Sequence, residues 1–108
     1  MSAAESAASA AAPLTVMVLL RAKPGCAERV QEEIAAQLRA IRAEQAACVR
    51  IVGNRHETER DRFLIYEEWR SRAEFDAFYE GNEQLNAYLA RMQELVAEGE
   101  LTYWEAVA

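Results

Sequence analysis

The sequence predicts an α+β domain, a ferredoxin-like four-stranded antiparallel sheet with its helices on one face. Three observations predict it. Apolar runs of strand length alternate with stretches of three-and-four spacing, in the order strand, helix, two strands, helical pair, strand. Turn and capping residues stand at the changes: Lys23-Pro24-Gly25, Ser71 with Glu74, and Asn82. Phe63 to Trp69 alternates with large apolar groups on both sides, so both faces of the sheet need cover.

Leu14 to Ala22, rich in Val and Leu, is the first strand. Pro24 holds Lys23 extended and itself suits a first helical turn. From Cys26 the spacing changes. Val30, Ile34, Leu38 and Ile41 recur along an amphipathic helix that reaches Glu44, with Glu28, Glu32, Glu33 and Arg42 around them. Ala47 to Arg55 reads as the second strand. Val49, Ile51 and Gly53 share one face; Cys48, Arg50, Val52, Asn54 and His56 take the other. A charged connection, Glu57 to Arg62, leads to the third strand, Phe63 to Trp69. Phe63, Ile65, Glu67 and Trp69 share one face of it, and Leu64, Tyr66 and Glu68 the other.

Ser71 and Glu74 form a capping box. The helix behind it presents Phe75, Phe78 and Tyr79, and Glu80-Gly81-Asn82 breaks it. Asn82 can cap the next helix. That helix carries Leu85, Tyr88 or Leu89, Met92 and Val96 as a stripe and stops before Gly99. Leu101 to Val107 is the expected last strand. Helices on one face leave Met17, Leu19 and Leu64 or Tyr66 on the other, so a second copy laid there would bury them; a homodimer is expected.

The chain has 108 residues, enough for one domain. Residues 1–12, mostly Ala and Ser, read as a disordered tail, and residues 13–108 as the domain. The tail lacks a basic start and a long apolar run, so neither a signal peptide nor a membrane span is expected. A net charge of −6, with eighteen acidic against twelve basic side chains, argues against nucleic-acid binding. Arg50, Arg55, Arg60 and Arg62 are interleaved with Glu57, Glu59 and Asp61, which suits a solvated hairpin tip better than a phosphate clamp. Two cysteines without metal-type spacing, Cys26 and Cys48, fit a reduced, cytoplasmic protein. Cys26 opens a helix, where the dipole favours a thiolate, but simple packing against the sheet is the plainer reading. With His56 the only histidine, a His-rich zinc site is absent.

These landmarks resemble the antibiotic biosynthesis monooxygenase family, the dimeric α/β barrels of small quinol and anthrone oxygenases. The matching stretches are Val16 to Ala22 leading into Lys23-Pro24-Gly25, Ala46-Ala47-Cys48, Phe63-Leu64-Ile65-Tyr66-Glu67-Glu68-Trp69, Ser71 to Tyr79, and the helix around Tyr88. The resemblance spans Leu14 to Val107. It implies a dimeric α/β barrel that oxidises a small aromatic with O2 and no cofactor. Two departures stand out. Haem-degrading members carry His after the Trp helix and Asn on the first strand; Tyr79 and Val18 or its neighbours stand there instead, which disfavours haem. The family's Glu-Pro-Gly-Cys run is here Gln45-Ala46-Ala47-Cys48, a changed turn.

Such chemistry needs an apolar cavity, a group that favours the substrate anion, and groups that hold it beside oxygen. Trp69 can stack on a planar ring or donate its N–H to a ring oxygen; equally it is core at a strand end. Phe75 and Phe78 line the pocket or are plain core. Tyr79 can hydrogen-bond a substrate oxygen or stand half-buried and inert. Glu67 shares the face of Trp69 and can accept a phenolic proton if burial raises its pKa. It can instead be paired with Arg50, which otherwise would stabilise an oxyanion. His56 is a candidate base or an exposed loop residue. Asn54 orients an oxygen or begins a turn. Tyr88 and Met92, one turn apart, roof the cavity or simply pack. No nucleophile–base–orienter triad is visible. The alternative is a non-enzymatic dimeric ligand-binding or stress-related domain, with Glu67 locked to Arg50, Tyr79 facing solvent and the cavity collapsed onto Phe75 and Phe78.

Overall fold

The computed structural model describes residues 10–107. Its elements are β1 (Leu14–Ala22), α1 (Ala27–Glu44), β2 (Cys48–Arg55), β3 (Arg62–Trp69), α2 (Arg72–Tyr79), α3 (Glu83–Leu95) and β4 (Val96–Trp104). The strands form one sheet in the order β2-β3-β1-β4, every neighbour antiparallel. This is the ferredoxin-like α+β fold. Of the segment read as a disordered tail, residues 1–9 lie outside the described residues, and Ala10 and Ala11 have helical backbone.

The chemistry at each boundary is local. Gly25 turns the chain out of β1 at φ 79, where a side chain would be strained. The Ser71 hydroxyl accepts the Glu74 N–H at 3.1 Å, and the Asn82 side chain accepts the Leu85 N–H at 2.9 Å; these cap α2 and α3. No side chain caps α1, which instead buries Val30, Ile34, Leu38 and Ile41 against the sheet. Gly53 lets α1 approach β2: an added Cβ would lie 3.0 Å from Leu38 Cδ2 and 3.1 Å from Ile34 Cγ2. On the open edge of β2, the Arg42 guanidinium donates to the Ile51 carbonyl at 2.6 Å.

Two sequence readings are corrected. The last strand begins at Val96, directly after α3, rather than at Leu101, and it ends at Trp104, so Val107 lies outside it. β4 is an edge strand on which no helix closes tightly. Its first residues, Ala97-Glu98-Gly99-Glu100, therefore carry none of the apolar alternation by which a strand is recognised. The second correction concerns β2. Cys48 pairs with Trp69, Arg50 with Glu68 and Ile51 with Glu67, so a bulge lies at Val49. The bulge turns Val49 outward, 66% exposed, and puts Cys48 on the helix face with Ile51. Arg50, Val52 and Asn54 stay on the opposite face.

The core lies between sheet and helices. One grouping joins α1 and α3 to Ile51, Phe63 and Ile65; a second joins Leu14, Val16, Trp69 and Phe75. Val18 and Phe78 touch both. The other face of the sheet holds Met17 opposite Tyr66 and Leu19 opposite Leu64. Leu19 and Trp104 there are 40% and 54% exposed. No helix of the described residues is long and apolar enough to cross a membrane.

Candidate active site

A cavity of about 270 Å³ opens between the helix face of the sheet and the three helices. Val16, Val18, Ile65 and Glu67 form its floor. Leu38 and Ile41 of α1 close one side; Phe75, Phe78 and Tyr79 of α2 and Tyr88 and Met92 of α3 close the others. Tyr79, Leu89 and Leu101 line it while remaining about 40% exposed, so they mark its mouth, between α2, α3 and β4.

Among the described residues, Glu67 is the one charged side chain buried in the core, 9% exposed. Strand parity sends it inward with Trp69. The Trp69 Nε1–H donates to Glu67 Oε1 at 2.8 Å. Trp69 is fixed in turn by Phe75, edge-on at 5.4 Å, and by Phe78 at 5.1 Å. Among the described residues no cation pairs with Glu67. Burial pushes its pKa above the ordinary carboxylate value, and the indole N–H partly opposes that rise. Its neighbours respond. Burial, then the Glu67 charge, raises the Tyr88 phenol; burial, then Tyr103 and Glu67, raises Tyr79. The Cys48 thiol is pushed up to about 11, first by burial and then by Glu67, which leaves it protonated and unreactive.

The sequence-derived candidates divide between the two faces. Glu67, Phe75, Phe78, Tyr79, Tyr88 and Met92 meet at the cavity. Trp69 does not line it: at 1% exposure it lies behind Glu67, and its N–H is engaged by the Glu67 carboxylate. Arg50 is not the partner of Glu67. It stands opposite Glu68 on the other face of the sheet, because the register sets Ile51 opposite Glu67. Asn54 and His56 line a separate, open groove at the β2–β3 end, with Leu19, Arg21, Arg62 and Leu64. That groove, about 500 Å³, is the larger hollow, but it is remote from the buried carboxylate. The His56 Nδ1 accepts the Glu59 N–H at 2.9 Å and the Thr58 N–H at 3.2 Å, so the ring organises the turn. Sequence reasoning missed Leu89, Leu101 and Gln37 as cavity residues. The alternation of Leu101 with Tyr103 marked the inward face of β4, but nothing local told that this face borders an opening.

The cavity can therefore hold an apolar ring and exchange one proton with it through Glu67. Among the described residues no group of three or more His, Cys, Asp and Glu side chains is placed to hold a metal ion.

Residues 13–91 match the family described as antibiotic biosynthesis monooxygenase. The chain belongs to that family. Among solved structures, a Caulobacter crescentus protein provisionally assigned to the same family is 18% identical, with a TM-score of 0.83 over 97% of this chain and 99% of its own. A Pseudomonas aeruginosa protein is 23% identical, with a TM-score of 0.80 over 92% and 98%. A Bacteroides thetaiotaomicron protein of unknown function, described as a possible oxidoreductase, is 26% identical, with a TM-score of 0.78 over 90% and 100%. No curated protein matches the chain.

Proposed function

We propose that this family member is a cofactor-independent monooxygenase that oxidises a small phenol, quinol or anthrone with O2. The observation that carries the reading is Glu67, a carboxylate without a cation, fixed by Trp69 at the floor of an apolar cavity. A carboxylate with a raised pKa is a better acceptor for a phenolic proton than an ordinary one. The phenolate can then pass one electron to triplet oxygen, which closed-shell phenols do slowly. With a naphthol the reaction balances without another reductant. The ring carbon para to the hydroxyl gains one oxygen atom and becomes a carbonyl. The second oxygen atom leaves as water with the two hydrogens lost, and the substrate supplies all four electrons. Tyr79 and Tyr88, protonated at neutral pH, are placed to orient a ring oxygen.

The cavity volume limits any substrate to a small one. About 270 Å³ lies just under the low end, about 300 Å³, of ordinary small-molecule sites. An apolar cavity of roughly 150 Å³ already admits benzene. The same tightness, with Tyr79 38% exposed at the mouth, favours a second reading, a non-enzymatic ligand-binding domain of the same fold. In either reading we propose a homodimer, formed through the sheet face that carries Met17, Leu19, Leu64 and Tyr66, because monomers rarely leave such a face to water.

The test is oxygen uptake by metal-free, cofactor-free protein with naphthols, naphthoquinols and anthrones, autoxidation subtracted. Saturable uptake in the parent, reduced at least about 100-fold in Glu67→Gln, is the expected result. Background rates across the panel with folded protein would transfer the assignment to the binding domain.

A further inference from the structure

The lining of the cavity has one sign of charge. Among the described residues, its only ionisable acids or bases apart from the two phenols are Glu67 and Glu100, and no Lys, Arg or His reaches it. The arginines around it are committed elsewhere. Arg42 donates to the Ile51 carbonyl at 2.6 Å, and Arg91 pairs with Glu33 at 2.9 Å. Arg72 pairs with Asp76 at 3.1 Å and stacks 4.2 Å over the Tyr103 ring. An anionic ligand entering here would shed its water and find no cation in exchange, only a carboxylate at the floor. An uncharged hydroxyl finds the opposite: one Glu67 oxygen is held by Trp69, and the other has no hydrogen-bond donor among the described residues.

We propose that the site selects by charge: it takes un-ionised one- or two-ring hydroxyaromatics and excludes the same rings bearing a carboxylate or sulfonate. The discriminating features are Glu67 and the missing cation at the mouth. This rests on the cavity being the substrate site of the oxygenase reading. It adds a constraint that the reading does not contain, because an oxygenase of this scaffold with an arginine at position 101 would accept acids. It also implies that the reaction supplying the substrate leaves the ring without a carboxylate, as a decarboxylation or a neutral cyclisation does.

The experiment is calorimetric titration of the full chain at neutral pH with α-naphthol, α-naphthoate and α-naphthalenesulfonate. The naphthol keeps its proton there, as phenols do, and the sulfonate stays ionised, so it cannot borrow a proton from Glu67. The naphthol is expected to bind at least about tenfold more tightly than either anion, since like charge across a contact is disfavoured. Leu101→Arg, at the mouth of the cavity, is expected to raise sulfonate affinity at least about tenfold relative to naphthol affinity. Anions that bind the parent as well as the naphthol does would overturn the proposal, and so would a panel in which nothing binds. Oxygen uptake with the same compounds separates the two claims. Selective naphthol binding without uptake leaves charge selection standing and removes the oxygenase. Uptake with naphthoate as fast as with naphthol removes charge selection and leaves the oxygenase.

Discussion

Replacing Trp69 with Phe removes one hydrogen bond and tests how the buried carboxylate is held. The indole N–H lies 2.8 Å from Glu67 Oε1, and Glu67 has no ion-pair partner among the described residues. Two losses follow. The smaller ring leaves a void between Phe75 and Phe78, which costs about 1–2 kcal/mol at any pH, in the lower range for large-to-small core changes. The lost hydrogen bond depends on charge: about 1.5–3 kcal/mol to an ionised group, about 0.5–1.5 kcal/mol to a neutral one. The destabilisation should therefore be about 1–1.5 kcal/mol greater where Glu67 is ionised than where it is protonated. In a domain of this size that is a melting difference of roughly 4–12 °C. The assay is urea unfolding followed by far-ultraviolet dichroism, at about pH 4 and about pH 9, parent against variant. Dichroism is preferred because Trp104 remains and would confuse fluorescence. An equal loss of stability at both pH values would refute the argument, since the indole would then be packing only.

Further expectations concern other parts of the molecule. The folded-state pKa of Glu67 is raised above its ordinary 4.5, so its protonated form contributes stability that is full below that value and is lost as pH rises through the folded pKa. Glu67→Gln should accordingly match the parent in acid and exceed it in urea midpoint at alkaline pH; a variant less stable than the parent there would contradict the unpaired carboxylate. Gly53→Val should cost about 1–3 kcal/mol in urea unfolding, because its Cβ would meet Leu38 Cδ2 at 3.0 Å in a packed core; an unchanged midpoint would show that α1 moves aside freely. Leu19→Glu, on the helix-free face of the sheet, should convert a dimer to a monomer in sedimentation velocity, and a persistent dimer would put the interface elsewhere.

Much of the fold was legible in the sequence because its signals are local. The capping box at Ser71 and Glu74, the Asn82 cap and the stop at Pro24-Gly25 each work within three or four residues of themselves, and each stands where it was read. Parity along β3 was enough to place Glu67 beside Trp69, because two residues on an unbroken central strand share a face whatever surrounds them. On β2 parity held from Arg50 to Asn54 and failed only at Cys48 and Val49, where a bulge adds a residue to one strand. The pairing of Arg50 with Glu67 failed because the register between strands, which parity along one strand does not give, sets Ile51 opposite Glu67. The start of β4 was hidden for a related reason: an exposed edge strand need not alternate.

By itself, then, the sequence determined the order of elements, the capped helices, the inward stripe of α1 and the shared face of Glu67 and Trp69, all set by contacts between near neighbours in the chain. Only the tertiary structure decided that Trp69 lies behind the cavity, that Asn54 and His56 belong to a groove on the other side of the sheet, and that the arginines near the opening are engaged elsewhere. Those outcomes depend on which distant segments arrive at one place. Whether a buried carboxylate is left without a cation is decided by residues far apart in the chain.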